Sequence, residues 1–117
     1  MPGLEEQQRV DAEFEISARE LASRLEKGDD VFILDVRNPD EYAICRIDGS
    51  ELIPLNRLLE GVNTLDSARD IVVHCHTGVR SAQAVNFLRS IGFSKVKNLR
   101  GGIDAWAEEV DESVPRY

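Results

Sequence analysis

No stretch of this sequence is apolar for long enough to cross a bilayer, which takes about 20 residues in a helix. Its first residues carry neither the basic start nor the apolar core of a secretion signal, so a cytoplasmic setting is expected. Cysteine is scarce: Cys45 and Cys75 are too few for a disulfide scaffold. Positive charge is in deficit, with 14 Lys and Arg against 22 Asp and Glu and a net charge of −8. That balance argues against nucleic acid or an anionic membrane as the main partner, and it suits a partner with a basic face. There is no glycine pattern for nucleotide binding, no internal repeat and no low-complexity tract. His74, Cys75 and His76 lie side by side, but no second cluster completes a tetrahedral site, so no metal and no other cofactor is expected.

What remains fits one domain. A chain of 117 residues with 42% hydrophobic content can bury a core of ordinary size. Residues 1–13 are polar and read as a leader or linker, and residues 14–117 as the domain. Phe14-Glu15-Ile16 suggests a short strand. Ser17 and Glu20 have the spacing of a capping box, Leu21 and Leu25 share one helical face, and Gly28 supplies the stop. Val31-Phe32-Ile33-Leu34 is a continuous apolar run, expected as a parallel strand buried on both faces. It ends in Asp35-Val36-Arg37, and Asn38-Pro39-Asp40-Glu41 reads as a turn opening a short helix. Leu52-Ile53 is a further strand, Leu55 to Glu60 a short helix, and Val62 to Asp70 a loop. Ile71-Val72-Val73 and Val96 to Leu99 complete five strands. Gly101-Gly102 turn tightly into a helix whose Trp106 is expected in the core, and the tail from Val110 reads as extended. Strands alternating with helices imply an α/β fold, a parallel sheet covered on both faces.

The chemistry concentrates at His74-Cys75-His76-Thr77-Gly78-Val79-Arg80-Ser81, between the Ile71 strand and an expected helix through Arg89. Ligands in open α/β sheets gather at the carboxyl ends of strands, where the next helix aims unpaired N–H groups at them. Those donors and the Arg80 cation favour a thiolate at Cys75, or a group with more charge than one. Alternation along the strand sends His74 to the side opposite Cys75.

This segment resembles the active-site loop of rhodaneses, sulfurtransferases that carry a persulfide on a cysteine in a short loop ending in a basic residue. Leu34-Asp35-Val36-Arg37-Asn38-Pro39-Asp40-Glu41-Tyr42, Ile47-Asp48-Gly49-Ser50 and Asn98-Leu99-Arg100-Gly101-Gly102-Ile103-Asp104-Ala105-Trp106 resemble the same family in order. The resemblance implies a three-layer rhodanese-like fold, with a central five-stranded parallel sheet. It implies Cys75 as the catalytic residue, and His76, Thr77, Gly78, Val79, Arg80 and Ser81 as the substrate-binding loop. Asp35 and Arg37 are expected to brace neighbouring loops. From Cys75 to Arg80 is six residues, whereas related phosphatases on this fold carry one more between cysteine and arginine. A phosphate or arsenate needs that wider cradle, so the spacing favours sulfur transfer over a phosphatase or arsenate reductase.

Two positions depart from the commonest family patterns. His76 and Thr77 stand where enzymes that prefer thiosulfate often carry basic residues, which turns the expectation toward a persulfidated protein as donor. Cys45-Arg46-Ile47 stands where many relatives have Gly-His-Ile; Cys45 reads as a packed hydrophobe or a resolving thiol, and the former is favoured. The tail Val110 to Tyr117 resembles the end of rhodanese domains fused behind adenylyltransferases that activate sulfur-carrier proteins for molybdopterin or thiamine synthesis. The partners thus implied are a sulfur donor, thiosulfate or a protein persulfide, and a sulfur-carrier protein or an adenylyltransferase domain. The competing expectation is a rhodanese-like interaction module without turnover.

Overall fold

In the four-residue strand Ile71–His74 every residue is buried, and successive side chains leave on opposite faces. A computed structural model describes residues 10–117 and places that strand, β4, at the centre of the sheet. The five strands are β1 (Glu15–Ile16), β2 (Phe32–Asp35), β3 (Glu51–Leu52), β4 and β5 (Val96–Leu99), in the spatial order β1-β5-β4-β2-β3. Every pairing is parallel. Parallel neighbours need crossovers, and the helices that supply them are α1 (Ala18–Glu26), α2 (Pro39–Ile44), α3 (Leu58–Gly61), α4 (Val79–Ser90) and α5 (Gly102–Glu109).

Alternation sorts the apolar residues into two cores. Ile33, Val72 and Leu99 join Leu21 of α1 and Ile103 and Trp106 of α5 on one face. Leu34, Ile71, Val73 and Val96 join Leu58 of α3 and Ala84, Val85 and Leu88 of α4 on the other. The sheet is therefore the middle of three layers, as expected for the fold. The two cysteines fall on different sides: Cys45 belongs to the first core and Cys75 to the second, and both are free thiols.

Local signals account for most element ends. The Ser17 hydroxyl accepts from the Glu20 N–H at 3.1 Å and the Glu20 carboxylate accepts from the Ser17 N–H, so the capping box forms. Asn38 and Glu41 make a second one, with Pro39 opening α2. The expected helix from Leu55 to Glu60 instead splits into a 3-10 turn, Leu55–Arg57, and α3, of which Leu58 is the one residue buried against the core. The expected loop from Val62 contains a further 3-10 turn, Val62–Thr64. Residues 1–9 of the expected leader lie outside the described residues, while Val10 rests on the second core and Ala12–Phe14 form a 3-10 turn. Among the described residues no helix is long and apolar enough to cross a membrane.

Candidate active site

The loop that follows β4 is held from three directions. Cys75 is its first residue, 1% exposed, on the same face as Ile71 and Val73. Gly78 caps α4 at φ +116°, a conformation that side chains with a Cβ rarely adopt, and no side chain covers the helix start. The N–H groups of Val79, Arg80 and Ser81 thus have no acceptor within the helix. The Gly78 N–H points at the sulfur, 3.1 Å from Cys75 Sγ. With twelve residues behind it, α4 adds the positive end of its dipole to that donor.

The second hold comes from α5. The Ile103 N–H donates to the Cys75 carbonyl at 3.0 Å, and the Asp104 N–H donates to that of His76 at 3.1 Å. In a trans peptide the N–H lies opposite the C=O, so these two bonds turn the His76 and Thr77 N–H groups away from α5. Gly102 makes the approach possible. At φ +61°, a Cβ on it would lie 2.6 Å from the Cys75 carbonyl oxygen and closer still to that of His76. The sequence marks this glycine as part of a turn, and its contact with the cysteine loop was outside that reading.

The third hold is a buried polar chain. Ser81 Oγ lies 3.4 Å from Cys75 Sγ and donates to Asn98 Oδ1 at 2.5 Å. A serine has a single hydroxyl proton, so one given to Asn98 leaves Ser81 Oγ as an acceptor for the Cys75 S–H. Asn98, 3% exposed on β5, is oriented in turn by donating Nδ2–H to Glu15 Oε2 at 3.4 Å.

Arg80 at the end of the loop is engaged elsewhere than at the sulfur. Its two terminal nitrogens meet the two Glu41 oxygens at 2.5 and 2.9 Å, a bidentate ion pair. Arg80 and the Tyr117 hydroxyl, which donates to Glu41 Oε2 at 2.6 Å, together hold the Glu41 carboxyl at about 2. Tyr117 also accepts from Arg37 at 2.9 Å, and its ring stacks on His76 with centroids 4.1 Å apart and planes within 9°. Burial and the Glu41 contact push the Tyr117 phenol up to about 12, so it remains a donor at neutral pH.

Asp35 and Arg37, expected as a brace, form a buried ion pair. Both are fully buried, and Arg37 reaches both Asp35 oxygens, at 2.7 Å for the closest pair. Burial pulls Arg37 down, and hydrogen bonds to Asp35 and Tyr117 more than offset it. The same guanidinium donates to the Cys45 carbonyl at 2.6 Å, tying the end of α2. His74 pairs with Asp35 across β2 and β4, on the side away from Cys75. Burial holds it below its usual range, partly countered by Asp35 3.6 Å away, and its Nε2 has no hydrogen-bond partner. Among the described residues no group of three His, Cys, Asp or Glu could hold a metal ion.

The structure thus gathers Cys75, the loop from His76 to Ser81 and the brace at the ends of β2 and β4. It adds Glu41, Tyr117, Asn98 and Gly102, which sequence reasoning did not assign to the site. Glu41 was legible as part of a turn opening a helix, and the glycine pair as a turn; nothing local marked the contacts they make here.

The rhodanese-like domain family matches this chain over residues 17–109. The probable adenylyltransferase/sulfurtransferase MoeZ of Mycobacterium tuberculosis is 40% identical over 104 residues, covering 87% of this chain and 26% of MoeZ. A sulfurtransferase of Allochromatium vinosum is 38% identical over 93 residues, covering 80% of this chain and 87% of that protein. The solved rhodanese-like domain of an Anabaena protein matches with a TM-score of 0.75 and 37% identity, covering 86% of this chain and 82% of the other. The chain therefore spans about a quarter of the length of MoeZ and nearly all of the shorter sulfurtransferase.

Proposed function

The chain belongs to the rhodanese-like domain family, and on that premise we propose that it is a sulfurtransferase which carries sulfur as a persulfide on Cys75. The observation that carries the reading is the Gly78 N–H aimed at Cys75 Sγ from the start of a twelve-residue helix. An amide donor at a helix N-terminus stabilises negative charge that the reaction places at the sulfur.

In the first half-reaction the Cys75 thiolate attacks the outer sulfur of the donor. An S–S bond forms to Cys75, the donor's bond to that sulfur breaks, and the leaving group departs with the electron pair. From thiosulfate the product is sulfite; from a thiol persulfide it is the parent thiolate. The terminal sulfur then bears the negative charge, supported by the free N–H groups of the α4 start. In the second half-reaction a nucleophile takes that sulfur and Cys75 returns as thiolate. Relatives named adenylyltransferase/sulfurtransferase support a sulfur-carrier protein as the acceptor, its terminus activated by a separate adenylylating domain.

Intact-mass measurement after incubation with a donor tests the reading. The expected result is a gain of one sulfur atom, absent in Cys75→Ser and released by cyanide as thiocyanate. No gain with thiosulfate or with a thiol persulfide would leave the interaction module standing. Cys75-dependent hydrolysis of an aryl phosphate would favour the phosphatase.

A further inference from the structure

A loop cation beside an anion-binding cysteine suggests a grip on the donor's charge, yet Arg80 is already occupied. Its fork closes on both oxygens of Glu41, and that carboxylate is fixed by two further donors, the Asn38 N–H at 3.1 Å and the Tyr117 hydroxyl at 2.6 Å. Tyr117 is held by Arg37, and Arg37 by the buried Asp35, so the ion pair is the outer end of a connected network. The Glu41 side chain is only 13% exposed, which sets this pair apart from a solvated surface contact. A dianion approaching Arg80 therefore meets a carboxylate bound to it, in a chain whose net charge is −8. The remaining wall is the aromatic face of Tyr117 over His76, with the half-exposed Val79 in the same loop.

We propose that Glu41 is a specificity-determining residue for the donor: by closing on Arg80 it removes the cation that thiosulfate would use, and directs the site to persulfides borne on a thiol. Tyr117 is the positioning residue that keeps Glu41 in place. The inference rests on the sulfurtransferase reading above. For the favoured donor the step is balanced without help from Arg80: Cys75–S⁻ and R–S–SH give Cys75–S–SH and R–S⁻, one negative charge on each side, and the new persulfide then gives its proton to solvent, which leaves the charge on its terminal sulfur. With thiosulfate the site must instead accept two further charges and release them as sulfite.

The test is steady-state thiocyanate formation from cyanide, with thiosulfate and with glutathione persulfide as donors. Glu41→Gln keeps an oxygen for the Asn38 N–H and loses the charge. The KM for thiosulfate should fall about tenfold with kcat within about twofold, a loss of discrimination carried in binding. That KM should also become salt-sensitive, since a freed cation attracts a dianion through a screened field. The ratio of kcat/KM for thiosulfate to kcat/KM for the glutathione persulfide should rise about tenfold. The gain must vanish in Glu41→Gln/Arg80→Gln; persistence without Arg80 overturns the assignment, as does an unchanged KM. If Glu41→Gln melts too low to assay, Tyr117→Phe removes the tether on Glu41 together with one acceptor of Arg37, which keeps its bonds to Asp35 and the Cys45 carbonyl, and a smaller fall of about two- to threefold is required. Failure to load Cys75 from either donor would refute sulfur transfer and this inference with it. Loading that is indifferent to both variants refutes this inference alone.

Discussion

Replacing Gly102 by alanine should damage the site more than the fold. The residue sits at φ +61°, where a Cβ costs roughly 1–2 kcal/mol. That Cβ would come within 2.6 Å of the Cys75 carbonyl oxygen and closer to that of His76, both backbone atoms that cannot swing aside. Relief requires α5 to withdraw, breaking the bonds from the Ile103 and Asp104 N–H groups at 3.0 and 3.1 Å. At about 1 kcal/mol each, they bring the total to roughly 3–4 kcal/mol, a large part of the ordinary stability of a domain. Releasing the two carbonyls also frees the His76 and Thr77 peptides to rotate, and losing one well-aimed donor at a developing anion costs about 100- to 1,000-fold in rate. The assay pairs urea unfolding with the rate of sulfur loading on Cys75, normalised to folded protein. Gly101→Ala is the comparison: its Cβ would meet the Ala105 Cβ at 2.6 Å, within α5, and touch no atom of the loop. Comparable instability with normal loading is expected there. Gly102→Ala loading at the wild-type rate would refute the argument that α5 sets the orientation of the loop.

Arg37→Ala strands the fully buried Asp35, so a loss of about 3–5 kcal/mol is expected from unfolding curves, with the surviving folded protein still able to load sulfur. Acid should unfold the chain partly through Glu41. Its folded value, about 2, lies below the unfolded carboxylate range, so its contribution is present above about pH 4.5 and is lost as pH falls toward 2. After discounting for solvent, that contribution is roughly 2 kcal/mol, and a pH series of melting temperatures should flatten over this window in Glu41→Gln. Cys45→Ala should load sulfur normally, and mild oxidation of the wild type should give no bond between the two cysteines, because the sheet lies between them. A Cys45–Cys75 disulfide in the peptide map would contradict that placement.

Much of this was legible because the signals were local. The apolar run before Cys75 and the capping box at Ser17 and Glu20 each act within a few residues, and each appears where expected. The sorting of side chains onto two faces also follows from a period of two. The network around Arg80 was not legible, because its members are far apart in sequence: Glu41 lies 39 residues from Arg80 and Tyr117 lies 80 from Arg37. In the sequence Arg80 reads as a loop cation facing the sulfur site, and only the fold brings up the carboxylate that occupies it. The splitting of the Leu55 helix escaped as well: Leu55 and Leu58 both pack on the second core, a contact with the sheet layer that no window of sequence contains.

The depth of Cys75 bears on timing. Cys75 is 1% exposed, so a sulfur atom added there would start from a buried position, with its inner neighbour out of reach of large solutes. On the proposed chemistry, a sulfur held at that depth would outlast chance encounters and leave only to an acceptor that reaches into the loop.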